Sequence, residues 1–179
     1  RICLVGSEMC IRDRLGRYLR PAYDRAVDDG DAARARRILL AMARRCERMR
    51  PAEVCDLLAE PPLAVETAGG GSAAPSALMK PEPALADAIR QGFRAQLIEP
   101  ADYPEVTLRL LTTLGMRSRP SPADLATRLA DGVLDRASSL ALARVVRALS
   151  DAPLPPEVKT ARWLCNETVS YTHLRAHET

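Results

Sequence analysis

Histidine, cysteine and closely spaced carboxylates are the side chains that most often carry chemistry, and in this 179-residue chain they are few and poorly spaced. The histidines are His173 and His177; the cysteines are Cys3, Cys10, Cys46, Cys55 and Cys165. Cys46, Cys55 and Cys165 have no C-x-x-C spacing and no histidine near them, so they do not make a zinc set. Asp28 and Asp29 are adjacent and point to opposite sides of a helix end, which does not suit paired acid and base work. Gly69 to Gly71 lack the strand before and the Lys-Ser/Thr after that a phosphate cradle needs. No catalytic residue, cofactor or metal is expected, and the chain does not read as an enzyme.

The two ends carry a separate signal. A coding strand for Val169 to Thr179, read on its complement in a shifted frame, encodes LVGSEMCIRD, which is Leu4 to Asp13. A DNA fragment flanked by one adapter in opposite orientations produces this relation automatically, and the string resembles a transposon-derived sequencing-library adapter. Residues 1–14 and 169–179 are therefore expected to be adapter-derived and non-native, and to stand outside the fold. That removes both histidines and two cysteines, and with them a Cys-His or Ser-His-Asp nucleophile system. It lowers the net charge from +3 to +2, mildly basic.

What remains with a chemical pattern is arginine. Lys80 and Lys159 are the only lysines. Placed at 100° per residue, Arg34, Arg37, Arg44, Arg45 and Arg48 fall in one arc of a helix, and Ala35, Ile38, Leu39, Met42, Cys46 and Met49 fall in the neighbouring arc. A wrong reading frame would rarely sort residues so cleanly. Planar, always-charged guanidinium groups grip phosphate bidentately and stack on bases, so such an arc is a candidate nucleic-acid face. The competing reading is a solvated face whose charge is met by Asp24, Asp28 and Glu47.

The elements that would position these arginines are helices. Hydrophobic residues make up 47% of the chain and aromatic residues 3%, with Ala, Leu, Arg and Pro prominent, which suits close-packed helices better than sheet. A helix over Leu15 to Asp29, interrupted at Pro21, stops at Gly30. Asp31 caps the next helix, and Pro51 with Glu53 opens a third that ends before Pro61 and Pro62. Pro83, Pro104 and Pro122 open further helices, Ser138 or Ser139 caps another, and Pro155 or Pro156 opens the last. No strand is expected. The organisation is thus first helices and a hairpin repeat over 15–60, a flexible Gly/Ser/Pro linker or long inter-helix loop over 61–82, and further hairpin repeats over 83–168.

Three long helices share an Arg-Φ-Φ-x-x-Φ pattern, Φ being apolar: Arg37-Ile38-Leu39 with Met42, Arg109-Leu110-Leu111 with Leu114, and Arg144-Val145-Val146 with Leu149. Each precedes a Pro-led acidic start: Pro51-Ala52-Glu53-Val54, Pro122-Ala123-Asp124-Leu125 and Pro155-Pro156-Glu157-Val158. The spacing fits a period of roughly 36 residues with one degenerate unit, the mark of stacked helical hairpins. The chain resembles the degenerate helical-hairpin repeats of the octotricopeptide and heptatricopeptide type and of FAST-kinase-like RNA-binding proteins. The similarity lies in a first helix such as Leu140 to Leu149 followed by a second such as Pro122 to Leu129. It implies an all-α fold, a short α-solenoid of antiparallel hairpins, and RNA binding in organellar RNA metabolism.

The expected function is therefore RNA binding through an arginine-lined face formed by Arg34, Arg37, Arg44, Arg45, Arg48, Arg109 and Arg144. A protein-interaction scaffold with no nucleic-acid role is the alternative. Three unpaired cysteines suit an intracellular setting, and a monomer is expected. No run of about twenty apolar residues is present to span a membrane.

Overall fold

The computed structural model of the protein describes residues 8–130 and 136–148. The helix expected from Pro155 or Pro156, with Trp163, Cys165 and both histidines, lies outside these. The described residues are mostly helical, as the composition implies, and they divide into two compact units. The first runs to Leu78 and resumes over Ile98–Arg117; the second comprises Met79–Leu97 and the chain from Ser118 onward.

The first unit begins with α1 (Glu8–Arg14), a π-helical turn over Leu15–Leu19 and α2 (Arg20–Asp28). Pro21 cannot donate to a carbonyl one turn back, and the wider turn before it lets the helix continue where an interruption was expected. Residues 8–14, expected to stand outside the fold, are helical, and Ile11 packs against the core.

Gly30, at φ +71°, ends α2: Gly30 N–H donates to Val27 O and Asp31 N–H to Ala26 O. This is the double bond pattern that a left-handed residue after a helix permits. Asp31 then caps α3 (Ala32–Cys46), its Oδ1 accepting from Arg34 N–H at 2.9 Å. The predicted apolar arc is the buried one, with Ala35, Leu39, Met42 and Cys46 in the core and Ile38 and Met49 partly buried against it. Across a short turn α4 (Pro51–Leu58) buries Val54 and Leu58, and Glu53 accepts from the backbone N–H of Arg50.

The stretch 61–82 corrects the linker expectation. Leu63, Val65 and Leu78 are wholly buried in the same core, and β1 (Val65–Glu66) pairs antiparallel with β2 (Ser72–Ala73), Val65 opposite Ala73 and Glu66 opposite Ser72. Gly70, at φ +85°, makes the glycine-rich segment the turn of this hairpin. Strands two residues long have no room to display a period, so the sequence showed only the turn.

The unit closes with α6 (Glu105–Thr113), which packs on α3 and α4 and brings Leu108, Leu110 and Leu111 into the core. The intervening α5 (Ala86–Gly92) belongs to the second unit. There α5 packs on α8 (Arg136–Ala148), Ile89, Phe93, Ala141, Leu142 and Val145 being buried. The expected helix from Pro83 is shorter than its pattern: a 3₁₀ turn precedes α5, and Gly92 ends it. α7 (Pro122–Ala130) starts at a reciprocal cap in which Ser121 Oγ accepts from Asp124 N–H, while the Asp124 carboxylate accepts from Ser121 N–H and Oγ–H.

Candidate nucleic-acid interface

With one face of α3 committed to the core, the residues a third to a half turn away must face water. Arg34, Arg37, Arg44 and Arg48 are exposed, and none of their side chains has an ion-pair partner among the described residues. Arg45, assigned to the same arc, is half-buried and turns back to donate from Nη1 to Ala41 O at 3.0 Å. Of the arc expected from the sequence, Arg34, Arg37 and Arg44 lie outward on α3, Arg45 is folded along its edge, and Arg48 falls in the turn past the helix end, which comes at Cys46. Like charges one turn apart, such as Arg34 and Arg37, cost a helix a few tenths of a kcal/mol. Placing Arg44 and Arg45 in the last turn offsets part of this through the helix dipole.

The carboxylates that would neutralise the stripe do not reach it. Asp24 holds Arg20 at 2.9 Å, and Glu47 accepts from Arg109 Nη2 at 2.6 Å. Asp28 forms no ion pair among the described residues. Of the other predicted arginines, Arg109 lies on α6 in the same unit and is engaged with Glu47. Arg144 is exposed on α8 in the second unit, so the structure does not bring Arg37, Arg109 and Arg144 into one unit.

The arginine that sequence reasoning missed is Arg36. It sits between Arg34 and Arg37 but on the opposite flank of α3, donating from Nη2 to Glu66 at 2.7 Å and forming an ion pair with Asp102 at 3.3 Å, with its guanidinium over the Tyr103 ring. The Glu66 hydrogen bond, with both carboxylates nearby, favours its charged form. Nothing local marks it, because its partners are 30 and 66 residues away in sequence. Arg36 ties the hairpin and the turn before α6 to α3. Tyr23 adds a second tie by donating to Ala64 O at 2.8 Å, and its burial pushes the phenol pKa well up. A cleft of about 300 Å³ between the α2–α3 turn and the hairpin is lined by these groups. They tie α3 and α2 to the hairpin on the flank away from the stripe.

At the C-terminal end of the stripe a second cavity, of about 310 Å³, lies among α3, α4 and α6. Cys46, Val54 and Leu110 are buried in it, and the exposed pair Glu47 and Arg109 stands at its mouth. Among the described residues no group of three His, Cys, Asp or Glu side chains is placed to hold a metal ion, and no helix is long and apolar enough to cross a membrane. Comparison with known proteins returns no match to a family model, to a curated protein or to a solved structure.

Proposed function

We propose that the chain is an RNA-binding helical fragment that meets the phosphates of a single strand with the outward face of α3. The observation that carries this is the stripe of Arg34, Arg37, Arg44 and Arg48, exposed and without an ion pair among the described residues, while Asp24 and Glu47 are engaged with Arg20 and Arg109. Phosphate contacts give affinity without sequence selection and release counterions, so binding of this kind weakens steeply with salt. The α-solenoid reading goes with this proposal and rests on α6 laid on both α3 and α4, as the first helix of a following repeat would be. That stack stops short of a second full hairpin, since α6 and α7 fall in different units.

The test is retention on single-stranded RNA by a variant carrying R34Q, R37Q, R44Q and R48Q. Folding is expected to survive, because these side chains are exposed. The slope of log affinity against log salt is expected to become shallower by up to about 3, roughly 0.7 for each phosphate contact removed. Unchanged retention at low salt would sink the RNA reading. Salt-insensitive capture of an extended peptide would favour an interaction scaffold instead.

A further inference from the structure

The cavity at the end of the stripe has a chemistry of its own. Cys46 of α3, Met49 of the turn after it, Val54 of α4 and Val106 and Leu110 of α6 give it an apolar wall, beside the polar groups of Thr113, Glu47 and Arg109. Its volume is at the low end of the range of about 300–1,000 Å³ typical of small-molecule sites, the scale of one planar ring system. Two charged groups stand at its mouth. Glu47 Oε1 accepts from Arg109 Nη2, while Glu47 Oε2 and the Nε and Nη1 of Arg109 have no partner among the described residues. Both side chains are about half exposed, at 48% and 64% for Glu47 and Arg109. Exposed pairs of this kind are only weakly held together, so either group can take a further ligand at little cost.

We propose that this slot takes a single guanine base from the bound strand. The proposal rests on the RNA reading of the α3 face and adds a base preference to it. Of the four RNA bases, guanine alone presents two adjacent donors, N1–H and N2–H, beside an acceptor, O6. A carboxylate is acceptor-only and can take both donors, each oxygen having lone pairs to spare, so Oε1 keeps its bond from Arg109. The free guanidinium donors of Arg109 then face O6. Adenine and cytosine set a ring-nitrogen lone pair against the second carboxylate oxygen, and uracil flanks its single N–H with two carbonyls, so each leaves a repulsive contact. The base plane would lie against the Met49, Val106 and Leu110 side chains. Reading the Watson–Crick edge of an unstacked base in this way is the usual mode for single-stranded RNA. Arg44 and Arg48 flank Glu47 in sequence on the outward face, where the phosphates on either side of such a base would run.

The experiment measures fluorescence anisotropy of the full chain with oligouridylates of about eight nucleotides, carrying U, G, A or C at one central position. The oligonucleotide with one G is expected to bind roughly tenfold tighter than that with U, and tighter than those with A or C. The E47Q variant replaces an acceptor pair by one acceptor and one donor; it is expected to lose the G preference while still binding oligouridylate. Equal binding of all four oligonucleotides by the unaltered chain, or a G preference that survives E47Q, overturns the slot and leaves the phosphate-binding face standing. Absence of binding to any of the four at low salt overturns both.

Discussion

Cys46 shows how one side chain reports on the packing of α3. It is 7% exposed, and burial pushes its thiol pKa from 9.0 up to about 11. An acid whose folded pKa is raised keeps its proton longer when folded, so its contribution to stability is complete below pH 9 and disappears as pH rises through 11. Denaturant midpoints are therefore expected to fall over that interval, by up to roughly 3 kcal/mol from this group. Tyr23, also raised by burial, acts with the same sign. Replacing Cys46 with Ala should lower the neutral-pH stability but flatten the alkaline fall. A fall equally steep in the variant would mean that the thiol is not the group responsible. The outward arginines show the opposite condition, in which solvent exposure leaves the charge available to a partner.

At the scale of elements, caps decide where helices begin and end. Asp31, Pro51 and Gly30 were legible because each acts within its own turn: an oxygen for a first-turn N–H, a missing N–H where none is needed, and a left-handed φ where a side chain would be strained. The Ser121–Asp124 cap of α7 has the same locality and gives a direct test. Ser121→Ala is expected to cost about 1 kcal/mol, and Ser121→Gly only a few tenths. Amide hydrogen exchange in the first turns of α7, at Asp124 and Leu125, is the measurement. Protection unchanged in Ser121→Ala would show that packing of Leu125 alone holds that end. The β1–β2 hairpin was not legible, since its two-residue strands are stabilised by Leu63, Val65 and Leu78 reaching a distant core.

The whole molecule departs most from a simple array of repeats. In a solenoid each unit touches its neighbours in sequence, and stability builds up by nearest-neighbour terms. Here the chain leaves the first unit after Leu78 and returns at Ile98 to complete it. A fragment ending at Leu78 therefore lacks Tyr103, Leu108, Leu110 and Leu111, all of which sit in the same core as Leu39 and Met42. Such a fragment is expected to unfold without a cooperative transition, monitored by circular dichroism in urea. A sharp two-state transition from it would restore the independent-hairpin picture.

The sequence by itself determined the helical character of the chain, the start of α3, and which side of that helix faces water. These are consequences of residue spacing and turn chemistry, and they act over one or two turns. Tertiary structure decided that the glycine-rich stretch is a buried hairpin, that Arg36 is a tie and not part of the stripe, and that Glu47 serves Arg109 and leaves the arginine face unneutralised. Each of these depends on partners 30 to more than 60 residues away in sequence. Local pattern carries no information about such pairings, because they are set by which elements the shared core brings together.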